Sequence, residues 1–299
     1  MKIIFVNLKI SMKLRSQNPI LLYLIFTLIF SSVVWMPTLN APNAGRIAGR
    51  MFGYGIMWCP ALATIVTFKL TGRKMSDLAW GLGKSKYLWA SYLIPLFYSL
   101  AAYLIIWSAG WGDFYNISFV TNTAHEFGWD ALPQWLFIII FFIMNGVIGM
   151  IASISTALGE EIGWRGFLVP ELAKKMGYTG VSLTTGLIWG VWHYPLLVFG
   201  SYNNGTPAWY GLICFTVSIT AVSFIFTWYR MKSGSLWTGV LLHASHNLFI
   251  QSFFTPLTQP NAKSPWYYDE FGAVVPAVIL VFAIYFWSRR KELINIYTS

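Results

Sequence analysis

The sequence is poor in charge. Lys, Arg, Asp and Glu together make up 10% of its 299 residues, whereas a soluble domain carries about 25%. So few charges would not keep the surface of a soluble protein hydrated, and hydrophobic residues instead make up 57% of the chain. These apolar residues come in long blocks, as in a chain that spans a bilayer. The composition therefore excludes a soluble domain and predicts an integral membrane protein.

Cysteine is scarce as well, because Cys59 and Cys214 each stand alone inside an apolar block. No CxxC or Cys/His spacing occurs, so neither a disulfide framework nor a thiolate zinc site is indicated. The net charge of +10 does not indicate a nucleic-acid partner either. The basic residues are spread over short segments between apolar blocks and form no basic domain.

Long apolar segments are abundant, and each has about the 20 residues needed to cross a bilayer as a helix. They lie at about 19–39, 51–70, 87–109, 133–156, 180–199, 209–230, 235–254 and 271–288. The expected fold is all-α, a polytopic membrane helical bundle of about eight transmembrane helices. We expect a single membrane domain over 1–299, with its motif-bearing core at about 133–254.

The Lys and Arg residues alternate between the two sides of these spans. With the N-terminus inside, 17 of the 20 basic residues fall in cytoplasmic segments, and Arg46, Arg50 and Lys263 fall outside. Positive loops stay in the cytoplasm. The distribution predicts a multi-pass protein with both termini in the cytoplasm and the 110–132 loop outside. We expect its membrane to be a bacterial plasma membrane.

Ionisable residues inside a membrane are costly and are candidates for function. A first cluster reads Glu160-Glu161-Ile162-Gly163-Trp164-Arg165. Glu161 and Arg165 are four residues apart, so on a helix they can form an ion pair on one face. Glu160 points about 100° away and is left to face another group. The alternative for this cluster is an ordinary salt bridge at a solvated helix end.

Three of the four histidines lie in predicted spans. His193 follows Trp189 by four residues, so the two share a helix face. His243 and Asn247 are also four residues apart and project together, with His246 beside that face. Polar residues in a membrane can also serve only to join helices, and we expect that role for His246.

Glu160, His193, His243 and Asn247 come from three separate helices and could converge in one polar cavity. A carboxylate with a histidine can activate water. A histidine and an amide can donate hydrogen bonds to a developing oxyanion. Two histidines and a carboxylate are also a common zinc set. Each of these arrangements supports hydrolysis.

The order EExxxR, aromatic-xxx-His and HxxxN on late helices resembles the CPBP family, the CAAX protease and bacteriocin-processing (Abi) family, which includes the type II CAAX prenyl endopeptidases. The resemblance covers about 156–250, and Trp189 stands where the family usually has Phe. It implies that Glu160 and His193 activate the water. It also implies that His243 and Asn247 line the oxyanion site, and that Glu161 and Arg165 support the first motif.

A metal would draw on Glu160, His193 and His243. Asn247 does not fit such a shell, because a neutral amide is a poor zinc ligand but a good hydrogen-bond donor. The residues therefore favour water activation without a tightly bound cofactor, with zinc as the alternative.

The sequence and the resemblance together predict an intramembrane endopeptidase. Its expected partners are the lipid bilayer and a membrane-associated peptide or protein substrate. Two alternatives keep the same polar cavity without the chemistry. One is a non-catalytic membrane binding or immunity protein, and the other is a proton-coupled transporter, since intramembrane His and Glu also relay protons.

The predicted spans leave one difficulty. Glu160 falls beyond the inner end of the 133–156 span, whereas His193 lies about 20 Å from the inner start of its own span at 1.5 Å per residue. For the two to meet, the 133–156 helix must sit higher or bend at Gly146 and Gly149, or the 180–199 helix must begin later.

Overall fold

The chain was analysed as a computed structural model that describes residues 18–40, 45–200, 202–203 and 205–293, without the side chains of 37–40 and 45–52. Helices make up nearly all the regular structure of these residues, and the prediction of an all-α membrane helical bundle is confirmed. The predicted cytoplasmic positions of the two termini concern residues 1–17 and 294–299, which lie outside the described part.

The α-helices are α1 (Pro19–Asn40), α2 (Gly45–Thr71), α3 (Ser85–Ser108), α4 (Ile117–Glu126), α5 (Gln134–Met144), α6 (Met150–Glu161), α7 (Val169–Ala173), α8 (Tyr178–Phe199), α9 (Ala208–Ser233), α10 (Leu236–Asn247), α11 (Thr255–Leu257), α12 (Ser264–Tyr267) and α13 (Val274–Ser288). Short 3₁₀ helices cover Met75–Asp77 and Arg289–Leu293. The strands β1 (Asp113–Phe114) and β2 (Thr258–Gln259) pair antiparallel.

A helix occupies each of the eight predicted spans. In the described part of the chain, five helical segments are both long and apolar enough to cross a membrane: Pro19–Met36, Gly53–Thr71, Ser85–Ser108, Gln134–Ala173 and Ala208–Ser233. Large apolar side chains such as Leu28, Ile143 and Val281 are exposed on the outside of the bundle. In a soluble protein such an apolar surface would associate, whereas it is expected of a membrane helical bundle.

Helices α5, α6 and α7 form one continuous helical run because π-helical turns join them. Asn145–Gly149 joins α5 to α6, and Ile162–Leu168 joins α6 to α7. A third π segment, Leu248–Phe254, continues α10. A π turn holds an extra residue and changes the direction in which the following side chains point, and such turns are frequent at functional sites.

Helix α6 packs against α2 and α10 at the centre of the bundle, and α9 packs against α8 and α13. Two glycines make the close approaches possible. A Cβ on Gly159 would lie 2.6 Å from the carbonyl oxygen of Met57, and one on Gly239 would lie 2.7 Å from Oε2 of Glu161. The second contact brings α10 directly against the EExxxR motif.

The loops of the bundle gather at two ends, as the alternation of basic residues predicts. At one end the β1–β2 pair joins the loop after α3 to the segment after α11, and Thr206 donates to the carbonyl of Pro265. At the other end the amide of Leu236 donates to the carbonyl of Ala79. Segments predicted to share a side of the membrane therefore lie together.

Candidate active site

Glu160 lies at the end of α6 with 2% of its surface exposed. Its Oε2 accepts hydrogen bonds from two indoles, Trp189 Nε1 at 2.7 Å and Trp164 Nε1 at 3.1 Å. Trp164 is one turn further along the same helical run, and Trp189 comes from α8. An indole can only donate, so this arrangement suits an ionised carboxylate and fixes its orientation.

Glu161 and Arg165 form the predicted ion pair, with Arg165 Nη1 2.8 Å from Glu161 Oε1 and both side chains 0% exposed. The guanidinium lies between two rings, its Cζ 4.3 Å from the centroid of Trp189 and 4.5 Å from that of Phe226. Its Nη2 donates to Ser223 Oγ at 3.3 Å. The alternative of a solvated helix end is wrong, because every residue from Ile162 to Leu168 is buried.

His193 lies on α8, and its Nδ1 is 2.9 Å from the carbonyl oxygen of Trp189 one turn earlier. A carbonyl oxygen only accepts, so Nδ1 carries the proton, and in neutral imidazole the Nε2 lone pair is then available. The same backbone turn thus fixes both the ring and its tautomer. His193 can take a proton from a group in the cavity through Nε2.

His243 lies on α10 and is 4% exposed, with Nδ1 3.0 Å from Glu161 Oε1. Since the carboxylate accepts, Nδ1 is again the donor. His243 can therefore donate from Nε2 only as an imidazolium. Glu160, Glu161 and Arg165 together carry a charge of −1 when ionised, so a cationic His243 would make the buried cluster neutral.

The four predicted catalytic residues, Glu160, His193, His243 and Asn247, line one cavity of about 230 Å³ inside the bundle. They reach it from α6, α8 and α10. The cavity, called the inner cavity below, thus brings a fixed carboxylate, two imidazole rings and an amide together within the bundle. Such a set can activate a water molecule and stabilise an oxyanion.

A metal site does not follow from this arrangement. In both histidines Nδ1 is occupied by an acceptor and Nε2 is left over, which is the pattern of metal-ligating histidines. However, within the described residues no three His, Cys, Asp or Glu side chains are grouped so that they could hold one ion. Glu160, His193 and His243 therefore share a cavity but are not grouped as three ligands of one ion.

His246 has the joining role expected for it. Its Nδ1 is 2.6 Å from the hydroxyl of Tyr98 on α3, and its Nε2 is 2.8 Å from Oε1 of Glu270 just before α13. Both ring nitrogens are used, and the three side chains are buried. His246 thus connects three elements of the bundle.

Glu270 was missed by the sequence reasoning, although it is 2% exposed and lines the inner cavity. Besides His246, its Oε1 accepts from Gln251 Nε2 at 3.1 Å. Glu270 lies one residue before the predicted 271–288 span, so it was assigned to a loop. The available signal was an acidic pair, Asp269-Glu270, directly next to an apolar run.

The helical run continues past residue 156, the inner end predicted for the fourth span, to Ala173. Glu160 therefore lies inside the bundle and meets Trp189 of α8 directly. The glycines expected to permit a bend, Gly146 and Gly149, both lie in the π turn that precedes α6. These two features remove the difficulty of depth between Glu160 and His193.

Comparison with known proteins identifies the same part of the chain. Residues 131–249 match a family model described as type II CAAX prenyl endopeptidase Rce1-like. The chain is also 34% identical over 94 residues to the CAAX prenyl protease 2 of Methanococcus maripaludis, which covers 30% of this chain and 34% of that protein. The chain therefore spans about a third of the length of this relative. Every candidate residue discussed above except Glu270 and Gln251 lies within the matched range.

Proposed function

On the premise that the chain belongs to the CPBP family of CAAX proteases, which both comparisons support, we propose that it is an intramembrane endopeptidase. It hydrolyses a peptide bond of a membrane-associated peptide or protein. The observation that carries the proposal is the convergence of Glu160, His193, His243 and Asn247 in one buried cavity.

Glu160 is the general base of the proposed reaction. The two indoles hold its Oε2, so the carboxylate can take a proton from a water molecule while the water oxygen attacks the scissile carbonyl carbon. Nε2 of His193 accepts the second hydrogen bond of this water and orients it. General-base catalysis of this kind typically contributes about 10²–10⁴ in rate.

The carbonyl oxygen becomes an oxyanion in the tetrahedral intermediate. Asn247 donates to it from its amide, and His243 donates from Nε2 while Glu161 accepts from its Nδ1. The C–N bond then breaks, and Glu160 returns its proton to the leaving amine nitrogen. The products are a carboxylic acid and an amine, and Glu160 is again ionised.

The test is cleavage by the purified full-length chain in lipid nanodiscs. The peptide set includes one C-terminal tail in prenylated and unprenylated forms, because the Methanococcus relative is named a CAAX prenyl protease. Glu160→Gln keeps the size of the side chain but removes the base, so kcat should fall about 10²–10⁴-fold. KM and the thermal midpoint should stay near those of the parent protein.

Glu126→Gln is the matched control, because Glu126 is exposed at the end of α4, remote from the catalytic motifs in sequence. It should cleave at the parent rate. Equal cleavage by the parent and by Glu160→Gln would reject Glu160 as the base. A parent protein that cleaves no peptide would favour the non-catalytic membrane binding protein.

We also propose that the end of the bundle with the 110–132 loop faces the outside of the plasma membrane. This follows from the 17 basic residues on the opposite side and the positive-inside rule. The clustering of the predicted outer segments around the β1–β2 pair supports the same orientation.

A further inference from the structure

A second and larger cavity adjoins the inner cavity. It has a volume of about 510 Å³ and lies among the segments around β2, where Thr255, Pro260 and Asp269 line it. Tyr202 and Gln251 line both cavities. They also contact each other, since Gln251 Nε2 donates to the hydroxyl of Tyr202 at 3.3 Å. We call the second cavity the vestibule; these two side chains form its boundary with the inner cavity.

A row of hydrogen-bonding side chains runs from one cavity to the other along α10, the third π segment and α11. It consists of His243, Asn247, Gln251 and Thr255, each four residues after the last. The first two line the inner cavity, the last lines the vestibule, and Gln251 lines both. We call this set the polar row.

The π segment keeps the polar row on one face. In an α-helix four residues turn about 400°, so His243 and Asn247 are offset by about 40°. Between Asn247 and Thr255 the chain is π-helical, and because a π turn holds more residues, four of them fall short of a full turn. The two offsets oppose each other, so the row does not drift around the helix.

An extended peptide inside a membrane protein needs partners for its backbone. Its N–H and C=O groups are unpaired, and each unsatisfied group in an apolar interior costs several kcal/mol. Asn and Gln amides can both donate and accept, so the polar row can bond such a backbone at about every second residue. A π-helix rises less per residue than an α-helix, so Asn247 and Thr255 are less than about 12 Å apart, which is at most roughly four residues of extended chain.

We propose that the polar row and the vestibule bind the extended peptide segment that flanks the scissile bond, so that substrate residues about two to four positions from the cleaved bond lie in the vestibule. This assignment rests on the proposed function for the position of the cleaved bond. The vestibule also sets a preference for charge. Asp269 lines the vestibule and Glu270 the inner cavity, and no Lys or Arg lines either cavity in the described part of the chain. A basic or neutral residue is accepted there, and an acidic one is disfavoured.

The first experiment uses full-length protein in nanodiscs and peptides lengthened one residue at a time on either side of the cleaved bond. Binding of the same peptides to Glu160→Gln protein is measured by fluorescence anisotropy. Lengthening on one side should lower both KM and Kd about tenfold by the fourth residue and then have no further effect. Pro260→Trp places a bulky ring at the exposed rim of the vestibule and should remove this gain, so that the KM of the longest peptide rises to that of the shortest.

Lys263→Trp is the matched control, because Lys263 is exposed in the same loop but does not line the vestibule. It should keep the full gain. Cleavage that does not depend on length, or a Pro260→Trp protein that keeps the full gain from lengthening, would overturn the vestibule assignment and leave the proposed function standing. Length-dependent binding without cleavage by the parent would overturn the proposed function and support the binding assignment.

The second experiment compares peptides with Lys or Glu at the vestibule position. The parent should prefer Lys about tenfold in KM, and Asp269→Asn should reduce the preference to less than about threefold. Asn suits this position because Asp269 has a φ of 64°, which Asn tolerates. In the parent, the backbone amide of Glu270 donates to Asp269 Oδ1 at 2.6 Å, and the side-chain oxygen of Asn can still accept this bond. An unchanged preference for Lys, or none in the parent, would overturn the charge preference.

Discussion

Arg165 is predicted to be necessary for stability only as long as Glu161 is charged. Arg165→Met removes the guanidinium but keeps an apolar chain between Trp189 and Phe226. It leaves Glu161, which is 0% exposed, without its cation. Breaking a buried pair in this way destabilises a protein by about 3–5 kcal/mol, whereas replacing both partners by uncharged groups is often nearly neutral.

Three variants measure this coupling: Arg165→Met, Glu161→Gln and the two combined. Their free energies of unfolding come from SDS titration of the protein in mixed micelles, followed by circular dichroism. Each single variant should lose about 3–5 kcal/mol. The free energy of unfolding of the double variant should lie within about 2 kcal/mol of the parent value. If the single variants fail to accumulate, a double variant that folds supports the same conclusion.

Arg73→Met is the control for removing a paired arginine. Arg73 bonds Glu171 at 2.7 Å, but 31% of its side chain is exposed and Lys174 also binds that carboxylate. The loss should be at most about 1 kcal/mol. If the double variant instead loses the sum of the two single losses, Glu161 and Arg165 do not stabilise each other and the reasoning about the buried cluster is refuted.

Two further predictions concern the base and the orientation. Trp189→Phe keeps an aromatic ring against Arg165 but removes the shorter hydrogen bond to Glu160. Since a hydrogen bond to a charged group contributes about 1.5–3 kcal/mol, kcat should fall roughly tenfold or more. An unchanged kcat would show that this indole does not position the base. Asp130 lies in the exposed part of the 110–132 loop. In a protein whose Cys59 and Cys214 have been replaced, Asp130→Cys should react with a membrane-impermeant maleimide added to intact cells. Labelling only after lysis would reverse the proposed orientation.

The local part of the candidate site was predictable from the sequence. The i, i+4 spacing of Glu161 and Arg165 predicted an ion pair, and the structure confirms it. The joining role of His246 was also expected, although its partners were not identified. These predictions succeeded because helix geometry alone determines which side chains share a face.

The long-range part was not predictable in the same way. The fourth span was ended at residue 156 because Glu160, Glu161 and Arg165 lower the hydropathy of the segment as if they faced lipid. In the structure Glu160 accepts from Trp189, and Glu161 is bonded to both His243 and Arg165. Hydropathy contains no information about such partners. Glu270 was missed for the related reason that only tertiary packing brings a residue from a loop into the cavity.

The distance along the chain between Glu161 and His243, 82 positions, has a consequence for biosynthesis. At about 5–20 residues per second, a ribosome needs roughly 4–16 s to reach His243 after it has added Glu161. During that time the nascent EExxxR segment has only its local partners, Arg165 for Glu161 and Trp164 for Glu160, which lie within the same helical run. The internal ion pair makes the segment neutral apart from Glu160 before any later helix arrives. The complete cluster closes only when α10 has left the ribosome and entered the bilayer beside α6.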